Sequence, residues 1–308
     1  GSINQGRTTN FTIGMNVQAV DRITPLFFFE TQAPKGDLDL NIAFKDLVWP
    51  VQKIPHMRGF MRVNNGFLRL PWFAEPLKEI NLNAEFKGDS SEILVKRVVC
   101  GQTTVGNSKL HIEGQENPRF SLSVAMDTFD LSDFRRNSAF SLRSVSQDNL
   151  LAKVAGDFRI QAVTANLPNI SGSQLMASGD LRERKLNVHR LTANVLGGYA
   201  DCTGVLDLSQ NIPVIGAQGK IPSITSGHLL NALGSKSSTV EGEGLVTGNL
   251  LFRGEKKSDF IESLQGDVSM YSRNGTIRKW NLLAKVFSLL NLYDLFRGKV
   301  RFTEAGLK

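Results

Sequence analysis

Cysteine is nearly missing from this chain of 308 residues: Cys100 and Cys202 stand alone, without CxxC spacing. A cysteine metal site and a disulfide framework therefore have no basis in the sequence, and only a single bond between the two stays open. Histidine is as sparse. His56, His111, His189 and His228 lie far apart and form no HExxH pair, so solvated or structural histidines are expected rather than ligands. A GxSxG elbow and a Walker loop are both missing. The run EGEGLVTGNL, with Gly242, Gly244 and Gly248, has the wrong spacing for a dinucleotide fingerprint and reads as a turn before a strand. Asp201 and Asp207, the nearest approach to a carboxylate pair, read as surface charge. No catalytic constellation remains, so the chain is not expected to be an enzyme, and neither cofactor nor metal is expected.

No apolar run is long enough for a membrane helix, and no signal-peptide pattern opens the chain. Gly1-Ser2 resembles a cloning scar and the final FTEAGLK carries no terminating signal, so an excised piece of a longer protein is expected. Lysine and arginine number 36 against 29 aspartates and glutamates, a net charge of +7. The basic residues are scattered in pairs such as Arg135-Arg136 and Lys256-Lys257, and the aromatics sit in apolar runs such as Phe27-Phe28-Phe29. A nucleic-acid reader would carry a basic stripe interleaved with stacking aromatics, so nucleic acid is not an expected partner.

What the chain does have is alternation. Phe11, Ile13, Met15 and Val17 alternate with polar or small residues. Leu38, Leu40, Ile42 and Phe44 then alternate with Asp37, Asp39, Asn41, Ala43 and Lys45, the pattern of a half-buried strand. Met57 to Leu70 reads as two strands joined by a turn at Asn64-Asn65-Gly66. Strands follow at Leu82 and Phe86, at Ile93 to Val99, at Leu110 and Ile112, and at Leu122, Val124 and Met126. Breaks recur every eight to twelve residues or so, the spacing of an antiparallel meander. Asp130 to Asn149 interrupts the series as a short helix with a loop, or as a crossing between sheet regions, and places a soft boundary between residues 1–135 and 136–308 unless one sheet continues through it. A second round contains Phe158, Ile160, Leu206 and Leu208, and a third contains Leu250. VKRVVCGQTTVGNSKLHIEG and VHRLTANVLGGYADCTGVLDL share an order of strand, small-residue turn and strand, which suggests an internal repeat and an elongated body.

Two helices are predicted. Ile224 to Leu233 reads as a short one. Near the end, a strand at Gly266 to Tyr271 meets a turn at Asn274-Gly275, after which Trp280, Leu283, Phe287, Leu290 and Tyr293 recur at helical spacing. Leu282, Val286 and Leu289 widen that stripe, so the helix from Lys279 to Phe296 must be largely covered, as a cap on the β structure or as a core helix.

The expected fold is therefore all-β with a few short helices: an elongated, curved antiparallel sheet of repeated strand units, capped by a C-terminal amphipathic helix. Nearly every strand has one apolar face, and few helices exist to cover it. Either the sheet closes on itself as a sandwich, or it curls so that the alternating residues named above, Leu38 through Leu250, line an apolar groove. Periodicity does not choose between these.

The layout GDFRIQAVTANL, then LNVHRLTANVLGGYADCTGVLDL, then SLQGDVSMYSRNGTIRKWNLLAKVFSLLNLYDLF resembles the C-terminal region of AsmA-like proteins, the bacterial envelope group that includes YhdP and TamB. The last part is the most distinctive, with its L-x-G strand, its NG-x-I turn and LLAKVFSLLNLYDLF before Arg297-Gly298-Lys299. GFMRVNNGFLRLP and NSKLHIEG are similar to the repeats that precede it in that group. The resemblance implies a taco-shaped sheet in the periplasm, tied to the inner membrane by an N-terminal helix that this chain lacks. It also implies phospholipid, or another acyl-chain lipid, as the partner, guided toward the outer membrane, with other envelope proteins as further partners. The alternative is a structural or assembly factor for outer-membrane biogenesis, with a closed dry core and no lipid conduit.

Overall fold

A computed structural model describes residues 9–17, 35–47, 56–70, 73–134, 152–167, 170–225, 240–254, 259 and 262–277. The chain is all-β. Its strands are β1 (Thr9–Val17), β2 (Lys35–Leu47), β3 (His56–Leu68), β4 (Leu77–Gly88), β5 (Ser90–Cys100), β6 (Thr103–Glu113), β7 (Arg119–Asp130), β8 (Ala155–Leu167), β9 (Ile170–Arg182), β10 (Lys185–Val195), β11 (Gly198–Asp207), β12 (Val214–Thr225), β13 (Val240–Arg253) and β14 (Gln265–Ile277). They form a single open sheet of 14 strands in which spatial order equals chain order. At about 4.8 Å per strand the sheet is roughly 60 Å across.

Every neighbouring pair is antiparallel except β7 and β8, which run parallel from Arg119↔Ala155 to Asp130↔Asn166. Parallel neighbours need a connection that returns along the sheet, whereas antiparallel ones need only a turn. The break predicted at Asp130 to Asn149 is thus where the chain crosses back, and hydrogen bonding continues through the soft boundary at residue 135. One turn of 3-10 helix, Leu131–Asp133, begins the crossing. Asp133, 5% exposed, pins it to the β5–β6 turn. Its Oδ2 accepts from Gln102 N at 3.0 Å, Thr103 N at 2.7 Å and Thr103 Oγ1 at 2.8 Å. Phe134 beside it packs against Phe73 and Phe129, ring centroids 5.4 and 5.6 Å apart.

Several predicted turns are bulges. Asn64-Asn65-Gly66 lies inside β3, which continues to Leu68 and still pairs Phe67 with Lys35. Asn65 has φ 50°, the β3–β4 register slips between Val63 and Gly66, and Asn65 N donates to Asn81 Oδ1 at 3.0 Å. Residues that tolerate positive φ serve a bulge as well as a hairpin. Asn274-Gly275 likewise lies inside β14, whose Ile277 still pairs with Val240. Gly242, Gly244 and Gly248 are residues of β13, not of a turn. True two-residue hairpins of the type with two positive φ values occur at Leu196-Gly197 (56° and 81°) and at Glu183-Arg184 (52° and 63°). Ile224 and Thr225, the predicted start of a helix, end β12 as strand, and 226–239 lie outside the described residues. The predicted C-terminal helix, with Trp280, Leu283, Val286, Phe287, Leu290 and Tyr293, lies outside them entirely.

Full burial is confined to few large side chains among the described residues. Ile42, Ile80, Leu208 and Ile224 are the buried isoleucines and leucines, at 7, 8, 6 and 0% exposed, and Pro118 and Pro213 are buried with them. Ile224 sits where the ends of β10, β11 and β12 meet, and Thr225 N donates there to Leu196 O at 3.0 Å. Replacing Ile224 with alanine should cost about 2–5 kcal/mol, because the site leaves a cavity that a sheet end cannot collapse into. Val163→Ser, at a side chain 64% exposed, should stay within about 0.5 kcal/mol. Denaturant midpoints of the two variants check this.

Candidate functional site

Residues directly opposite each other in a β ladder present their side chains on the same face. Following the pairings from strand to strand gives one row that crosses the whole sheet. Its first eight strands contribute Met15, Leu40, Met61, Ala84, Ile93, Leu110, Leu122 and Phe158. The last six contribute Gly179, Val188, Gly204, Ala217, Leu250 and Gly266. No polar side chain interrupts it. A second row joins Ile13, Ile42, Gly59, Phe86, Ser91, Ile112 and Phe120, then Gly156, Leu181, Leu186, Leu206, Ile215 and Phe252. Gly59 is required here: at φ 135° a Cβ would overlap Asn41 O on the neighbouring strand.

These rows bring together most of the residues singled out from the sequence. Leu38 and Leu82 meet through Val63, Phe44 opposes Met57, Val124 opposes Ile160, and Met126 opposes Ala162. Leu208 lies beyond the end of β11, where its N donates to Arg184 O at 2.9 Å; it is a buried turn residue rather than part of a ladder. Strict alternation missed Val98 and Cys100 on β5 and Leu191 on β10. Register shifts in the ladders of β4 with β5 and β9 with β10 change which parity faces the apolar side. The signal was local: Glu79, Asn107 and Gln174 take positive φ at such irregularities, and none is glycine.

The face is apolar but not dry. Apart from Ile42 and Ala84, the aliphatic residues Leu40, Met61, Ile93, Leu110, Leu122, Ile112 and Leu206 are only half-buried, and Ile13 and Val268 are 37 and 49% exposed. Among the described residues no second sheet or helix packs over it. Its relief also changes along the sheet. In the first row bulky side chains dominate through β8 and small ones follow, among them Gly179, Gly204 and Gly266, whereas the second row is bulky over β9 to β13, with Leu181, Leu186, Leu206, Ile215 and Phe252.

The opposite face holds the charges as cross-strand pairs. Arg97 Nε lies 2.5 Å from Glu79 Oε2, and Lys109 Nζ 2.9 Å from Glu92 Oε2. The most buried of these acids is Asp180, 8% exposed. Asn187 Nδ2 donates to its Oδ1 at 2.8 Å, His189 Nε2 lies 2.7 Å from its Oδ2, and Arg182 stands beside it. The Asn187 hydrogen bond, with smaller help from His189 and Arg182, holds the Asp180 carboxyl below the usual carboxylate range. A depression of about 780 Å³ at the Leu196-Gly197 turn is lined by Ser171, Ser173, Asn194, Tyr199 and Ser223, without an acid or a base. Among the described residues no three His, Cys, Asp or Glu side chains converge to hold a metal. Compared with protein-family models, curated proteins and solved structures, the chain has no match.

Because the Asp180 value is lowered on folding, its stabilisation is present above the unfolded carboxylate range and is lost as pH falls through the folded value. Asp180→Asn should therefore lower the melting temperature at pH 7, and the gap to wild type should close as the pH drops below about 4. Thermal unfolding of both proteins across that range is the measurement; a constant gap would mean that the charge contributes nothing.

Proposed function

We propose that the chain is a lipid-binding segment of an AsmA-like envelope protein, whose apolar face guides phospholipid across the periplasm between the inner and outer membranes. The observation that carries this reading is the uninterrupted apolar row over 14 strands, with nothing packed on it among the described residues. Two rows, each about 7 Å deep along the strands on a sheet roughly 60 Å wide, amount to an apolar band on the order of 1,000 Å². Soluble monomers seldom leave more than a few hundred Å² of such surface open to water. Acyl chains suit it because hydrophobic contact is non-directional. A row with no polar side chain offers no group that would hold a chain at one position, so occupancy and sliding are compatible. The phosphate headgroup stays in water, since burying it unpaired on this face would cost several kcal/mol.

The resemblance of the C-terminal layout to AsmA-like proteins supports the same reading and supplies its setting: a periplasmic body tied to the inner membrane by a helix outside this chain. A second reading, an assembly factor for outer-membrane biogenesis, draws on the edges β1 and β14, each of which has one strand neighbour among the described residues. In that reading an edge docks a partner strand, and the sheet among the described residues is open and not closed on itself.

Two measurements test the lipid reading. Purified protein extracted with organic solvent should yield phospholipid in a defined ratio to the chain by mass spectrometry. Val124→Asp, on the apolar face opposite Ile160, should abolish acyl-chain photocrosslinking, whereas Asn83→Asp, opposite Arg62 on the polar face, should leave it intact. Equal labelling of two folded variants, or an extract without lipid, would sink the reading.

A further inference from the structure

Four arginines of the polar face each stand beside a carboxylate: Arg62 beside Asp39, Arg97 beside Glu79, Arg182 beside Asp157 and Arg190 beside Asp201. Arg159, exposed in the middle of β8, has no such partner among the described residues. Its cross-strand neighbours are serines instead, Ser123 directly opposite on β7 and Ser178 directly opposite on β9. The same row continues to Lys109 on β6 and to Arg190 on β10. From β6 to β10 it therefore presents three cations and two hydroxyls, and no acid. Residues directly opposite lie about 5 Å apart, so the Arg159 guanidinium and both hydroxyls can reach one bound group. A guanidinium has donors only and grips an oxyanion through two parallel N–H bonds, and a serine hydroxyl can donate beside it. A phosphate monoester, with a charge of about −1.5 to −2 at pH 7, also answers the field of the two flanking cations.

Two residues along the strands, about 7 Å from this row, Ala125 and Gln161 lie opposite each other on the same face, with Gly106 and Met176 to either side. Together with Val163 they line a depression of about 550 Å³, which Gly106 and Ala125 leave open because they have little or no side chain. Val163 and Met176 are 64 and 54% exposed, although they stand on the face that holds the charges. A bare inorganic anion at Arg159 would not touch them, whereas an organic group attached to the anion would. The nearby acids leave the place at Arg159 clear. Asp157 is held by Arg182 at 3.5 Å, and Asp127 lies at the rim of the depression farther from Arg159, two residues beyond Ala125. We infer that the polar face carries a binding site for a small phosphate monoester, with the phosphate seated at Arg159 between Ser123 and Ser178 and the organic body in the depression against Val163 and Met176. The apolar rows lie on the opposite face, so the site does not rest on the lipid reading, and either can fail without the other.

Isothermal titration of the full 308-residue chain at low salt, with inorganic phosphate and phenyl phosphate as probes, tests it. Phenyl phosphate should saturate one site per chain and bind about tenfold or more tighter than inorganic phosphate, because only its ring reaches Val163 and Met176. Arg159→Gln should weaken both probes by about tenfold or more. Met176→Ser should weaken phenyl phosphate alone. Ser178→Asp gives Arg159 the carboxylate neighbour that the other arginines have, and should weaken both probes while the guanidinium remains. Circular dichroism checks that the variants keep their strands; if Arg159→Gln unfolds, Ser178→Asp decides. Cosedimentation with vesicles containing phosphatidic acid separates a lipid headgroup from a soluble ester, and binding to vesicles with neither soluble probe bound overturns the inference. So does a wild type without saturable binding, equal affinity for the two probes, or affinity unchanged by the substitutions at Arg159 and Ser178.

Discussion

Cross-strand register is the constraint on which everything else in this protein depends. Side chains in a strand alternate with a period of two, so a slip of one residue would turn a strand's entire apolar set to the other face. Here thirteen successive pairings keep Met15, Leu40, Met61 and their successors in line as far as Gly266. Where a strand carries an odd residue, the ladder absorbs it locally. Asn65 on β3 and Gln174 on β9 take positive φ, and the rows resume beyond them. Bulges also bend and twist a strand, so the irregularities that preserve the row can shape the sheet as well.

A single layer has little interior, and its stability is distributed accordingly. Some fully buried groups lie within strands, as Ile42, Ala84, Ala162 and Thr192 do, and others gather at strand ends and turns. Ile80, Cys100, Thr103 and Asp133 are packed near the start of β4 and the β5–β6 turn, and Ile224 and Ala200 near the β10–β11 turn. Between those ends the sheet is held by its backbone ladder and by side-chain pairs on both faces. Packing that would rigidify the middle would also cover the apolar face. The ends can be dense because the rows do not need them.

The parallel step between β7 and β8 has a consequence at the edges. Twelve of the thirteen neighbouring pairs reverse direction and one does not, so β1 and β14 run the same way. Among the described residues the first apolar row runs from one edge to the other, from Met15 to Gly266. Continuing the face past β1 in the same plane therefore needs a strand of compatible pattern rather than a new surface.

Sequence by itself determined the strand-rich class and the facing of residues wherever alternation is unbroken, as in Leu38, Leu40, Ile42 and Phe44 or in Leu122, Val124 and Met126. Those assignments are local: a period of two needs only a few residues to be read. It also located the interruption after Asp130, because the apolar period stops there. Only the tertiary structure decided that Asn64-Asn65-Gly66 and Asn274-Gly275 are bulges. Asparagine and glycine admit positive φ in either setting, and what distinguishes the two is whether the chain beyond still finds its neighbour. The single sheet, its order and its one parallel pair were likewise beyond the sequence, since pairing partners lie outside any local window. The same holds for Val98, Cys100 and Leu191, whose face depends on a register shift against an adjacent strand. That no described element packs over the apolar face was hidden for the same reason: alternation marks a surface that avoids water, and only packing shows what lies against it.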